Sequence, residues 1–331
     1  MSAPRWLAPE PPEPVSPRED APRFSIVIPT YQAADTVARS VESALAQTYP
    51  AHEILVVDDG STDQPEVALR PFEGRIRLIR KENGGGASAL NAGAEAATGD
   101  FMAILDADDE YDPRRLEALA ELARQRPDLD LITTDARFMV DDEEAGTFAA
   151  HNRFETADQR KAIFESCFVG GWPAMRLSRL QEIGGFDEEL RTGYDWDCWL
   201  RFLLDGSQAG MAEGPYYRYY LHPGSLTTSR TSTLWDRATL LEKALAHPGL
   251  RADERPALER EIRMHRSRAA LAEAADAAHG SGPRRQLTRL AAAPRLQPKA
   301  RLAALLAAGA PPLARRLLPQ DRPAEERDLT D

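Results

Sequence analysis

Asp106 and Asp108 stand one residue apart at the end of a short apolar run, Phe101 to Leu105, that follows the turn residues Gly99 and Asp100. Such a run reads as a strand buried on both faces. In an open α/β sheet, the carboxyl ends of buried strands are where ligands bind. Side chains alternate along an extended chain, so the two carboxylates are expected to point the same way. Two oxygen donors on one side suit a hard divalent cation, Mg²⁺ or Mn²⁺, that could bridge to a phosphate. Asp112 is then expected to cap the next helix with Pro113 in its first position, and Leu116, Leu119, Ala120 and Ala123 form its buried stripe. A three-residue acidic pattern also arises by chance, and acidic residues after a strand are commonly solvated turns or caps. Asp112 and Glu110 are read that way.

The elements that must position these acids follow in order. Phe24–Pro29 is a buried strand, then come Thr30 and Tyr31 and a helix carrying Val37, Val41, Ala44 and Leu45. A second strand, Glu53–Val57, ends in Asp58-Asp59-Gly60-Ser61-Thr62-Asp63, and a third, Arg75–Arg80, leads to Asn83-Gly84-Gly85-Gly86 and a helix of small residues. Leu129–Thr133 is a fifth strand. Alternating strands and helices predict a mostly parallel sheet covered on both faces, with the polar clusters gathered along one rim. Pro29-Thr30-Tyr31, Asp59 and Asp106/Asp108 are therefore expected near one another. No G-x-G-x-x-G follows the first strand, which argues against a dinucleotide-binding dehydrogenase. Beyond residue 136 the pattern is mixed. Short strands are expected at Arg137–Val140, Gly146–Ala150 and Ala174–Leu177, with a helix at Thr156–Cys167. A second helix opens at Tyr194-Asp195, and Tyr216–Leu221 is an aromatic strand ending at His222.

Composition limits the class. The chain of 331 residues carries a formal charge of −12, which argues against general nucleic-acid binding. Its two cysteines, Cys167 and Cys198, offer neither metal spacing nor a disulfide framework, so a reducing compartment, the cytoplasm, is expected. The amino terminus lacks the layout of a secretion signal, and the near-apolar run Leu302–Ala314 is too short to span a bilayer. A soluble chain is expected.

With these pieces in order, the chain resembles the family-2 glycosyltransferases of GT-A fold, inverting metal-dependent enzymes that use nucleotide-sugar donors. The resemblance spans roughly residues 24–229. It rests on Ser25-Ile-Val-Ile-Pro-Thr-Tyr31, Leu55-Val-Val-Asp-Asp-Gly-Ser-Thr-Asp63, Leu105-Asp-Ala-Asp-Asp109, Ile183-Gly-Gly-Phe-Asp187 and Asp195-Trp-Asp-Cys-Trp-Leu-Arg201. It implies that Pro29, Thr30 and Tyr31 hold the nucleotide base, Tyr31 by stacking, and that Asp59 accepts a hydrogen bond from it. A flat π-face beside a fixed acceptor suits a pyrimidine, hence a UDP-sugar. Asp106 would sit against the ribose, Asp108 would bind the metal, and His222 would add a ligand. Asn83 to Gly86 would let backbone approach the donor. Gly171 and Trp172 would lie beside the donor sugar, although Trp172 reads equally well as a core residue. Asp195 would be the general base, with Asp197 the alternative. Where the family writes Glu-Asp this chain has Tyr194-Asp195, so the neighbouring acid is missing.

The fold class expected is thus α/β, a Rossmann-like GT-A domain over residues 23–230, after a disordered Pro-rich tail (1–22, seven prolines) and before a helical extension (231–331). Helices are expected at Thr233–Ala246 and Pro256–Ala278, with two short ones within Arg284–Leu318. Residues 282–320 hold eight basic residues and no acidic ones, and read either as a membrane-surface segment or as a helical cap whose arginines face the acidic remainder. The acceptor would be a glycan or a lipid-linked sugar, with no nucleic acid involved. A non-catalytic nucleotide- or glycan-binding protein on the same fold is the second reading, motivated by Tyr194. A phosphatase is disfavoured, because its acidic motif should follow the first strand.

Overall fold

A computed structural model describes residues 6–10, 20–140, 142–221, 230–278, 297–309 and 314. The chain forms two compact units, Met1–Pro223 and Gly224–Asp331.

The first unit is built on one mixed sheet. Its described strands are β1 (Trp6–Leu7), β2 (Phe24–Thr30), β3 (Glu53–Asp58), β4 (Arg77–Arg80), β5 (Phe101–Ile104), β6 (Glu110–Tyr111), β7 (Leu131–Val140), β8 (Glu143–Thr147), β9 (Ala174–Arg176) and β10 (Ala209–Tyr220). The order is β1-β10-β7-β9-β5-β2-β3-β4, with β6 on β10 and β8 on β7. The pairs β5–β2, β2–β3, β3–β4 and β7–β10 are parallel. Strand β9 runs antiparallel between β5 and β7, splicing the two parallel halves together. The helices are α1 (Val37–Leu45), α2 (Pro65–Leu69), α3 (Gly86–Ala96), α4 (Arg115–Gln125), α5 (Phe148–His151), α6 (Gln159–Glu165), α7 (Leu177–Glu182) and α8 (Tyr194–Leu204).

Strands β2 and β5 are apolar and buried because helices cover both faces, and this produces their continuous rather than alternating hydrophobicity. Helix α4 buries Leu116, Leu119, Ala120 and Ala123 as its periodicity predicts, but begins at Arg115 rather than Pro113. Asp112 still serves the entry: its Oδ1 accepts from Arg114 N at 3.2 Å. Helix α3 is small-residued for a steric reason. A Cβ on Gly93 would lie 2.4 Å from Val27 Cγ1, so only glycine lets α3 sit this close to β2.

Some boundaries differ from expectation. Leu129–Thr133 and Arg137–Val140 belong to one long strand, β7, because Thr133, Thr134 and Asp135 are carried through the interior on hydrogen bonds. The expected strand Gly146–Ala150 is split between β8 and the short α5. Within the segment read as a disordered tail, Trp6 and Leu7 pair antiparallel with Ala212 and Met211 of β10, and Arg126 donates to the Pro9 carbonyl at 2.8 Å. The proline count hid an apolar dipeptide able to extend a sheet edge.

The second unit contains α9 (Arg230–Ala244), α10 (Arg255–Ala278) and α11 (Pro298–Gly309). Ala274, Ala277, Ala278, Ala303 and Ala307 make its close-packed seam. Trp235 Nε1 donates to Glu273 Oε2 at 3.1 Å and Arg266 donates to Glu242 at 2.7 Å, which ties α9 to α10. No helix among the described residues is long and apolar enough to cross a membrane. Of the basic segment, Lys299 and Arg301 are exposed on α11, while Arg284, Arg285, Arg289, Arg295, Arg315 and Arg316 lie outside the described residues.

Gly93→Ala is expected to destabilise the first unit by about 1–3 kcal/mol through overpacking against Val27, read by urea denaturation. An unchanged midpoint would show that α3 can move away from β2 at no cost.

Candidate active site

The acids after β5 do not continue the strand. Asp109 N donates to the Asp106 carbonyl at 3.1 Å, closing a tight turn. Strand alternation therefore does not apply to Asp106 and Asp108, and the turn is what brings their carboxylates together. Helix α1 holds it: Arg39 Nη2 donates to the Asp108 carbonyl and Ser40 Oγ to the Asp109 carbonyl, both at 2.7 Å. Asp109 points inward, where its oxygens accept from Tyr217 Oη and Tyr220 N, each at 2.8 Å. Tyr217 Oη also accepts from Asp106 N at 3.2 Å, so one phenol grips the turn at both ends. Burial first, then Asp106 and Asp108, pushes the Asp109 carboxyl well above its ordinary range.

Beneath the turn lies Arg115, fully buried. Its guanidinium donates to Thr134 Oγ1 and to the Trp172 carbonyl, and stacks over the rings of Tyr111 (4.6 Å) and Tyr217 (5.1 Å). This buried cation joins the acidic turn to the Gly170-Gly171-Trp172 loop.

Asp195 enters from the first turn of α8. Its Oδ2 would lie 3.3 Å from a Cβ on Gly171, so the carboxylate lies against that loop. It also faces Asp106, whose carboxyl is pushed up to about 7 by burial, by Asp108 and by Asp195 in that order. Three carboxylates from two distant motifs thus share one cleft. Asp197 is engaged elsewhere. It is buried and bonded to Arg201 Nε at 2.8 Å, while the other Arg201 nitrogens donate to the Ile183 and Gly185 carbonyls. That network explains why Ile183-Gly-Gly-Phe-Asp187 and Asp195–Arg201 occur together in the sequence. Asn91 completes it, pairing its amide with Phe186 N and O at 2.8 and 2.9 Å.

Tyr194 reaches across to the start of α3. A Cβ on Gly86 would be 2.4 Å from its hydroxyl, so Gly86 is the space the phenol occupies. Burial, then Asp106 and Asp195, raises the Tyr194 pKa, so the phenol stays neutral.

The remaining expected base-side residues gather at the ends of β2 and β3. Tyr31 is 56% exposed. Its loop is pinned to that of Asp59 by Asp59 N to the Thr30 carbonyl (2.9 Å) and Gln32 N to Ser61 Oγ (3.0 Å). Thr30 is buried and turns its hydroxyl back to the Ile28 carbonyl at 3.2 Å, which leaves Pro29 and Tyr31 nearer the surface. Asp59 is buried and held by Lys81 Nζ at 2.7 Å and by Gly84 N and Gly85 N at 3.0 and 2.7 Å. Asn83 is exposed beside it. Nothing in the local sequence marks Lys81 as the partner of Asp59, which lies 22 residues away on the preceding strand's loop.

Trp172 is only 4% exposed. Its Nε1 donates to the Thr134 carbonyl at 2.9 Å and its ring stacks on Tyr217 at 5.0 Å. It is a core residue, and the sugar-side placement expected for it is corrected: the indole N–H finds its partner inside the sheet. His222 lies outside the described residues. Among those described, no three His, Cys, Asp or Glu side chains form a ready coordination shell. Asp108 fits a Mg²⁺ or Mn²⁺ of the kind held by one or two carboxylates and completed by substrate phosphate, and a cation there would offset the neighbouring carboxylates that, after burial, raise Asp106.

A mixed α/β sheet with an acidic turn at the carboxyl end of a central strand defines a GT-A architecture. The sequence matches the family described as Glycosyl transferase family 2 over residues 25–184. It is 32% identical over 265 residues to the succinoglycan biosynthesis protein ExoU of Rhizobium meliloti, covering 73% of this chain and 75% of that protein. The chain belongs to glycosyl transferase family 2. It also matches glycosyltransferases of Rickettsia, of which the first, from Rickettsia typhi, is spanned over 59% of its length. Two solved structures share the fold: Staphylococcus aureus TarS 1-349 in complex with UDP-GlcNAc (TM-score 0.59, 17% identity, 86% of this chain and 87% of that one) and the Pyrobaculum calidifontis mannosyltransferase PcManGT in complex with GDP-Man and Mn²⁺ (0.57, 23%, 93% and 90%).

Tyr217→Phe should cost about 1–3 kcal/mol, because Asp109 and Asp106 N would lose a shared partner in a buried site. Equilibrium unfolding in urea measures this, and a loss below a few tenths would mean that α1 and Tyr220 N hold the turn without the phenol.

Proposed function

We propose that this chain is an inverting glycosyltransferase acting in the cytoplasm. It moves a sugar from a nucleoside diphosphate donor, a UDP-sugar, to a hydroxyl of a glycan or lipid-linked acceptor. The observation that carries this reading is the convergence of Asp195 with Asp106 and Asp108 on one cleft. In it Asp195 takes the proton of the acceptor hydroxyl as that oxygen attacks the anomeric carbon, a single in-line displacement. Tyr31 stacks on the base, the Asp59 loop lies at its edge, and Pro29 and Thr30 shape the seat through their backbone. Asn83 and Gly86 border the diphosphate, Asp106 the ribose, and Gly171 the sugar. Asp108 and His222 would hold the Mn²⁺ or Mg²⁺. When bound, that cation supplies Lewis-acid stabilisation of charge on the departing diphosphate.

The relatives support the substrate class: ExoU is named for succinoglycan biosynthesis, and TarS was solved with UDP-GlcNAc. PcManGT, solved with GDP-Man and Mn²⁺, makes GDP the donor nucleotide to test against UDP.

The non-catalytic reading retains one observation in its favour, the neutral phenol of Tyr194 where the family carries an acid beside Asp195. Donor turnover separates the two. With a panel of UDP- and GDP-sugars and Mn²⁺, the wild-type chain should release nucleoside diphosphate. Asp195→Asn should lower that rate about 10²–10⁴-fold while UDP binding by calorimetry stays within about twofold. Nucleotide binding without turnover of any donor would leave the binding-protein reading standing. Metal dependence gives a second check. EDTA should abolish turnover, and Asp108→Asn should raise the Mn²⁺ needed for half-activation by about 10–100-fold. Equal Mn²⁺ curves for the two proteins would remove Asp108 from the metal site.

A further inference from the structure

Beyond Trp172, the aromatic row in the sheet does not stop. Tyr217 and Tyr219 lie two apart on β10 and so project to one face, and in the parallel ladder they pair with Ala136 and Phe138 of β7. Tyr217 is fully buried, stacked on Trp172 and bonded to Asp109. Tyr219 is the next ring out towards the carboxyl end of the strand and is only partly buried. It lies 5.9 Å from Trp172 and 5.9 Å, edge to face, from Phe138, itself partly buried. Its hydroxyl engages no hydrogen bond among the described residues. Its neighbour Tyr220 donates its N–H to Asp109, and after burial Asp109, Asp106, Asp108 and Asp195 raise the Tyr219 pKa, so the ring stands close to the acidic turn.

Position in the sheet gives this pair a direction. Strands β2, β3 and β4, whose loops carry Tyr31, Asp59 and Lys81, lie on one side of β5, and β7 and β10 lie on the other. An in-line displacement brings the acceptor in from the side opposite the departing diphosphate. The geometry points to Phe138 and Tyr219 as the platform on which the acceptor's pyranose ring packs, with the Tyr219 hydroxyl hydrogen-bonded to a sugar hydroxyl and Asp195 facing the attacking one. This rests on the donor reading above and adds the acceptor subsite and its ligand class. A sugar fits both features, since one face of a pyranose is C–H-lined and its rim is hydroxylated. A hydrocarbon chain laid there would desolvate the neighbouring carboxylates with nothing to pair them.

The test uses the full chain with UDP and Mn²⁺, and methyl β-glucoside, methyl β-galactoside and methyl α-mannoside as probes. Saturation-transfer NMR should show at least one of them contacting the protein through protons of a single ring face. Phe138→Leu and Tyr219→Leu should each weaken that contact about tenfold, whereas Phe138→Tyr should restore it. Thermal stabilisation by UDP should be retained in all the variants, which also reports that they are folded. No contact from any of the three sugars, or contact unchanged in both leucine variants, overturns the platform. Sugar contact that is sensitive to the variants, in a wild-type chain that UDP fails to stabilise, would keep the platform and overturn the donor reading instead.

Discussion

Holding Asp106, Asp108 and Asp195 within reach of one another costs electrostatic free energy, and the hydrogen bonds around them in the first unit meet that cost. Like charges in a partly desolvated cleft repel more strongly than they would in water. Asp106 is pushed up to about 7 by burial first, and then by Asp108 and Asp195. The acids stay together because each is fixed by something other than the cleft. The turn is held from α1 by Arg39 and Ser40 and from β10 by Tyr217, and Asp195 rides on a helix locked by the Asp197–Arg201 pair. Arg115 is a fully buried cation held by the Thr134 hydroxyl and the Trp172 carbonyl, so it ties β7 to the Gly170-Gly171-Trp172 loop.

Much of this was legible in the sequence because the strands around the site are buried on both faces. Continuous apolar runs such as Phe24–Pro29 and Phe101–Leu105 have few alternative readings, and polar residues follow them abruptly. The errors came where local rules gave way to tertiary partners. Alternation along a strand does not reach Asp106 and Asp108, because the chain has already turned there, a turn that depends on Tyr217 more than a hundred residues away. Trp172 could be weighed either way from sequence because its deciding contact, the Thr134 carbonyl, lies on another strand. Lys81 and Tyr219 were invisible for the same reason, since nothing local marks a lysine or a tyrosine as facing a carboxylate.

Asp59 illustrates how a motif residue can serve a site without being free to touch a ligand on every side. Its carboxylate receives one ammonium and two backbone N–H groups, so it fixes the Gly84–Gly85 backbone against its own loop. The glycines make this possible by letting both N–H groups converge on one acid. The loop after β4 and the loop after β3 therefore behave as one piece, joined in turn to the Tyr31 loop through Ser61 and Thr30.

Tyr194 is where this chain departs from its family, and the structure gives the departure a physical shape. Another carboxylate at that position would stand beside Asp195 and within the field of Asp106, adding a further like charge to a cleft that already strains against three. A phenol removes that repulsion, stays neutral under the same field, and places its hydroxyl against the start of α3, where Gly86 leaves the necessary space. The substitution and the glycine are thus two halves of one contact. Through it, the helix that carries the proposed base is coupled to the glycine-rich loop on the proposed donor side. A mechanical link stands where the resemblance would put a second acid, and the proposed proton-accepting role falls to Asp195 without an adjacent carboxylate to share it.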